Sequence, residues 1–190
     1  PNMRLVVVLH RNLRQLFSVQ HDVFFFGLHF VHSLRKSQIN FLFDASFETT
    51  SNSLTWTLFL LSQHPEVAAD VHDEITGLLR GQPPTHDQLD QLPLVERVIK
   101  ESLRLFAPPV YAYRVCSRAV TFGPYDLPKG ATVAFSHYMT HHSPELFPEP
   151  ERFLPKRWET IKPSLYEYLP FGAGAHACLG AAFALIEGKL

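Results

Sequence analysis

The sequence predicts a mainly α-helical domain with a small β portion, and three observations carry that reading. Residues Gln38–Gln63 contain neither Gly nor Pro, as one long helix requires. Two further helical stretches are punctuated by the residues that start and stop helices. Pro65–Arg80 has Pro at its first position and is closed by Gly81, and Leu92–Phe106 stops at Pro108-Pro109. Beyond the double proline the pattern changes to strands: Val110–Ser117 alternates apolar positions around Arg114, and Ala131–Tyr138 is a second run. Gly123-Pro124 and Pro128-Lys-Gly130 mark turns between them.

The remaining stretches are read in chain order. Residues 1–36 mix Val6-Val7-Val8, Phe24-Phe25-Phe26 and scattered His and Arg without a sustained period; one or two helices are expected there, with the phenylalanines as core. Gln82-Pro-Pro84 is a connection and Thr85 caps a short helical piece. Thr160–Pro170 is an irregular connection, and Leu179–Glu187 reads as a closing helix. Sixteen Phe and 15 Pro suggest an apolar interior with many non-regular connections, and no repeat or low-complexity tract is present.

Bulk properties narrow the function classes. The 190 residues carry 17 basic and 18 acidic side chains, a net charge of −1, so electrostatics do not suggest a nucleic-acid partner. The two cysteines, Cys116 and Cys178, build no disulfide framework, which points to a reducing compartment. No apolar run has membrane-spanning length and no signal peptide is evident, although an anchor could precede Pro1.

Chemistry concentrates in Phe171–Gly180, FGAGAHACLG. Gly172, Gly174 and three alanines let the backbone pass close to something flat. Cys178 stands where loop becomes helix, near unpaired amides and a positive dipole end that favour thiolate over thiol. That setting suits a sulfur ligand to haem iron. Upstream, Ala45-Ser-Phe-Glu-Thr-Thr50 interrupts the apolar long helix with an acid and two hydroxyls. Glu101 and Arg104, at i,i+3, share a helix face and can pair.

The cysteine loop resembles the haem-binding loop of cytochromes P450, Phe-x-x-Gly-x-(Arg/His)-x-Cys-x-Gly, with Phe171, Gly174, His176, Cys178 and Gly180 in its five places. Ala45, Glu48 and Thr49 match the family's oxygen-activation segment, while Ser46 stands where glycine is usual. Glu101-x-x-Arg104, His141-His-Ser-Pro144, Pro150-Glu-Arg-Phe153 and Pro155-Lys-Arg-Trp158 follow in family order. The resemblance spans about Gln38 to Leu190 and implies an incomplete cytochrome P450 fold, the C-terminal half, with one partial domain over 1–190. Its landmarks are the oxygen-activation helix 38–63, the Glu-x-x-Arg helix 92–106, a β region 110–138, a segment 150–158 and the haem-thiolate loop with its helix, 171–190.

The same resemblance implies roles. Cys178 is the thiolate ligand of haem b (iron protoporphyrin IX), with amides after it tuning the sulfur. Gly172, Gly174, Gly180 and Phe171 shape the loop, and Ala45 lies one turn before Thr49 on the stripe facing the haem. Arg114 and His176 hold propionates. Glu101, Arg104 and Arg152 form a buried charged triad. Glu48 and Thr49, rotated by about 100° from one another, relay protons to oxygen activated at the haem. The activity implied is monooxygenation of an apolar small molecule with O2, with Phe47 and Pro109–Tyr111 facing the substrate. Electrons come from a ferredoxin or a flavoprotein reductase. His176 is similar to the residue in soluble bacterial members, which implies a cytoplasmic enzyme.

Other readings stay open: a truncated remnant that binds haem weakly or not at all, or an isomerase, dehydratase or peroxygenase variant, which Ser46 allows. A zinc module built on His137-x-x-x-His141 and His176-x-Cys178 is disfavoured, because His137 is expected on a strand, where i,i+4 residues do not converge.

Overall fold

Residues 32–190 are described by the computed structural model, with side chains from residue 37 onward. The expected structure of residues 1–36 therefore lies largely outside the described residues; only residues 32–36 are seen, as the start of helix α1 (His32–Gln63). Helix α1 is followed by α2 (Pro65–Leu79), a short α3 (His86–Leu89) and α4 (Pro93–Leu105). Four strands come next: β1 (Tyr111–Val115), β2 (Val120–Phe122), β3 (Tyr125–Leu127) and β4 (Thr132–Ser136). The chain ends with α5 (His137–His141), 3₁₀ turns at Pro155–Glu159 and Gly174–His176, and α6 (Ala181–Lys189). The described residues form two compact units, 46–112 with 136–190, and 32–45 with 113–135.

In the first unit α4 is the centre. Val95, Ile99 and Leu103, spaced by four, make one apolar stripe that packs with Leu89, Leu92, Ile75 and Leu78. Phe171 and the α6 residues Leu185 and Ile186 rest on the same stripe. Val98 and Leu105 pack in a second cluster with Leu60 at the end of α1 and with Phe153. No α4 side chain caps its own N-terminus. Glu74 of α2 does so instead, its carboxylate accepting from the Leu94 amide at 2.9 Å and the Val95 amide at 3.0 Å. Gly188 lets α6 close on α4: a Cβ there would sit 3.2 Å from Ile99 Cδ1. Lys189 Nζ, 2.9 Å from Glu96 Oε2, locks that approach.

Thr85 is the N-cap of α3 as expected, and Gln88 Oε1 accepts its amide at 2.9 Å. Helix α2 closes one residue earlier than expected, with Arg80 at φ 49° ahead of Gly81 at φ 77°. The second unit holds most of the strands together with the start of α1. β1 pairs with β4, and β2 and β3 form an antiparallel hairpin in register Val120↔Leu127 around Gly123, whose φ is 57°. Leu127, Ala131 and Val133 are its core.

One sequence expectation is corrected here. The run Ala131–Tyr138 is not strand throughout: β4 stops at Ser136, whose Oγ accepts the Met139 amide at 3.1 Å and so caps α5. His137 and His141 therefore do share a helix face, their rings 6.5 Å apart. Their inward nitrogens are already engaged, His137 Nδ1 with the Pro109 carbonyl at 2.8 Å and His141 Nε2 with the Leu169 amide at 2.9 Å.

Candidate functional site

The cysteine loop is built by two left-handed glycines and two backbone bonds. Gly172 (φ 70°) and Gly174 (φ 74°) adopt conformations in which other residues are strained. The Gly172 amide donates to the Leu169 carbonyl at 3.0 Å, and the Cys178 amide donates to the Phe171 carbonyl at 2.8 Å. Phe171 buries its ring against α4, while Gly174 through Gly180 are exposed. Gly180 is the N-cap of α6, so Cys178 lies two residues ahead of the cap and three ahead of the first helical residue, Ala181. Its thiol is free and exposed. The loop is thus pinned on both flanks to α4, by Phe171 before it and by Leu185 and Ile186 after it, and presents one sulfur outward.

The Glu101–Arg104 pair is buried, not a surface ornament. Both side chains are removed from solvent, with Arg104 Nη2 2.9 Å from Glu101 Oε1. All five guanidinium N–H groups of Arg104 are used: three donate to the Glu101 carboxylate and to the Arg152 carbonyl, and Nη1 donates to the His141 and Pro150 carbonyls at 2.8 and 2.7 Å. The Glu101 carboxylate also accepts from Leu154 N at 3.0 Å, Trp158 Nε1 at 2.9 Å and Arg157 Nε at 2.9 Å.

The second cation is therefore Arg157, and the expected triad with Arg152 is corrected. The Arg152 side chain is 63% exposed and pairs with Glu149 at the surface; only its carbonyl reaches the cluster. Arg157 instead spends its remaining donors on the carbonyls of Pro148, Glu149 and Arg152. The physical reason lies in how the 148–159 segment packs against α4. Arg152 directly follows Glu151 on an exposed bend, whereas Arg157 sits in a 3₁₀ turn flanked by buried Pro155 and the Trp158 ring.

Glu48 and Thr49 are consecutive and exposed on α1, which is α-helical without a break through Ser46. Hydroxyls bond back one turn along α1: Ser51, Ser53, Thr55 and Thr57 donate to the carbonyls of Phe47, Thr49, Ser51 and Ser53. Thr50, next to Thr49, donates to Glu187 Oε2 of α6 at 3.4 Å, a long bond that links α1 to the helix following Cys178. Glu187 was not singled out from sequence. Its place nine residues after the cysteine was the available clue.

Comparison with known proteins settles the family. The cytochrome P450 family model matches residues 32–190. The chain belongs to the cytochrome P450 family. It is 43% identical over 149 residues to cyclooctat-9-en-7-ol 5-monooxygenase of Streptomyces melanosporofaciens, covering 77% of this chain and 32% of that relative. It is 39% identical over 160 residues to cytochrome P450 3A5 of Homo sapiens, 83% of this chain and 32% of the relative. A mitochondrial 25-hydroxyvitamin D-1 alpha hydroxylase of Mus musculus matches at 38% over 174 residues, 85% of this chain and 34% of the relative. The aligned part of the chain thus spans about a third of the length of these P450 relatives.

Haem is the cofactor of the P450 family, and the donor set here fits it. Among the described residues no group of three or more His, Cys, Asp or Glu is placed to hold a bare metal ion. Cys178 offers a single exposed thiol, which suits a metal whose other ligands come from a macrocycle. The small-residue loop around it leaves the backbone open to a flat group. His176, in the 3₁₀ turn two residues before Cys178, is exposed and on the same loop. Arg114 belongs to the second unit, exposed on β1 with Nη1 donating to the Tyr113 carbonyl at 2.8 Å; Ala45 is assigned to that unit as well. Among the described residues no helix is long and apolar enough to cross a membrane.

Proposed function

We propose that the protein forms the haem-thiolate part of a monooxygenase that inserts one oxygen atom from O2 into an apolar small organic molecule. The observation that supports this above all is the Cys178 thiol, exposed on a loop turned by Gly172 and Gly174 and anchored to α4 on both flanks. Haem b, when bound, supplies the redox and oxygen-activating chemistry. Cys178 is its sulfur ligand, and the loop's anchorage holds that sulfur in place. His176 and Arg114 are the donors for its propionates, His176 with the weaker and more pH-sensitive contact. The Thr49 hydroxyl orients a proton donor and the Glu48 carboxylate exchanges protons with solvent. Exposed apolar side chains at Phe47, Val110 and Tyr111 offer a surface for an apolar substrate. Electrons come from a ferredoxin or a flavoprotein reductase, and the setting is cytoplasmic.

The test is the carbonyl spectrum of the reduced protein, made from the complete reading frame. Cys178→Ser loses the thiolate-type band and Cys116→Ser keeps it. The opposite pattern would overturn the assignment, as would zinc without iron in metal analysis of the wild type.

A further inference from the structure

His141 connects the buried charge cluster to the cysteine loop. It is fully buried at the end of α5. Its carbonyl accepts from Arg104 Nη1 at 2.8 Å. On its other side Nε2 accepts the Leu169 amide at 2.9 Å. The Leu169 carbonyl accepts from Gly172, the left-handed residue that opens the loop, and the Phe171 carbonyl accepts from Cys178. A chain of contacts thus runs from Glu101 and Arg104 through His141 to the first turn of the cysteine loop.

We propose that His141 is a positioning residue for Cys178: an unprotonated Nε2 clamps the Leu169–Gly172 turn and so fixes the geometry in which the sulfur is presented to haem. The inference rests on the haem-thiolate reading. Its chemistry is constrained by the ring itself. A nitrogen that accepts carries no proton, so the neutral imidazole holds its proton on Nδ1. Nδ1 is buried and has no partner within the protein. The ring lines a cavity of about 440 Å³ shared with Asn52, Trp56, Arg104, Phe106 and Tyr138. The groups around the ring disfavour a second proton. Burial above all, then the neighbouring His137, Arg104 and His142, hold its pKa down to about 3. Tyr168, the remaining titratable neighbour, has its ring 5.4 Å away, and burial raises its own pKa.

The experiment compares wild type, His141→Leu and His141→Gln, haem-loaded and made from the complete reading frame. Leu fills the space without an acceptor; Gln brings an amide oxygen close to the Nε2 position. The readout is the ratio of thiolate-ligated to thiolate-lost carbonyl bands, with haem content and helicity checked alongside. Losing one buried hydrogen bond predicts a fall of about fivefold in the Leu variant and recovery to within about twofold in the Gln variant. An unchanged ratio in the Leu variant overturns the proposal, and so does an equal loss in both variants. A wild type without the thiolate band overturns the haem-thiolate reading itself, which separates the two failures. Should the Leu variant not fold, nitrogen NMR of His141 in the wild-type reduced carbonyl form decides. A proton on Nδ1 with bare Nε2 supports the clamp, and the reverse tautomer or an imidazolium overturns it.

Discussion

Helix α4 keeps Glu101 and Arg104 away from water, while α1 holds Phe41, Phe43, Phe47 and Leu58 out to it, each 63–67% exposed. The contrast inverts the usual sorting of residues, and each half has its own cause. Helix α4 is covered on most of its surface by its own chain: α2 and α6 on one stripe, the end of α1 and Phe153 on another, and the 148–159 segment over its charges. Burial of a carboxylate and two guanidiniums is tolerated because backbone carbonyls and ring N–H groups satisfy what the ions leave unmet. Helix α1 is apolar on several faces, the pattern of a helix meant to be enclosed. The aligned part of the chain matches only about a third of the P450 relatives' length. Stability at α4 is therefore internal to these residues, whereas apolar side chains along α1 gain little from them.

The comparison breaks most sharply at the charge cluster. Arg104→Ala and Arg157→Ala each leave buried charge uncompensated and are expected to cost about 3–5 kcal/mol in denaturant unfolding. Arg152→Ala keeps its carbonyl and loses only an exposed ion pair, so a change under about 1 kcal/mol is expected. Equal losses for Arg152 and Arg157 would return Arg152 to the triad.

Acid should attack the α4 side next. His141 is held neutral in the fold with a pKa near 3, against 6.5 as its ordinary value. The unfolded chain binds this proton first, so the stabilisation is complete above pH 6.5 and drains away as pH falls toward 3. A pH series of unfolding midpoints should show a steeper acid loss in wild type than in His141→Gln. Parallel curves would remove His141 as the titrating group.

A smaller effect is expected at the start of α4. Glu74→Ala strips the carboxylate that caps the Leu94 and Val95 amides, at a cost of about 1–2 kcal/mol. Thermal unfolding should fall accordingly, with Glu74→Gln recovering part of the loss.

On α1 the smallest stability changes accompany the functional one. Phe47→Ala in this chain should shift unfolding by about 0.5 kcal/mol or less, because an exposed ring forfeits little. In the complete protein the same change should cost about 3 kcal/mol or more if the ring is enclosed there. Thr49→Ala should leave folding near wild type in both, as helix propensity changes little, yet lower the ratio of oxygenated product to electrons consumed, with peroxide rising. Undiminished coupling would point to chemistry without oxygen activation.

Local signals were legible in the residues themselves. The proline start of α2, the Thr85 cap of α3 and the glycine-turned loop at Cys178 all depend on contacts within a few positions, so the sequence alone determined them. The strand reading of Ala131–Tyr138 ran on too far because Ser136 caps a helix with a bond three residues ahead, which apolar patterning does not register. What only the tertiary structure decided was the choice between two arginines five positions apart. Arg152 and Arg157 each lie in a segment of the expected pattern, and nothing local says which one meets Glu101, more than 50 residues earlier. Packing of the 148–159 segment against α4 turns Pro155 and Arg157 inward and leaves Arg152 in water. A buried carboxylate selects whichever cation the backbone delivers to it, and that delivery is a property of the fold.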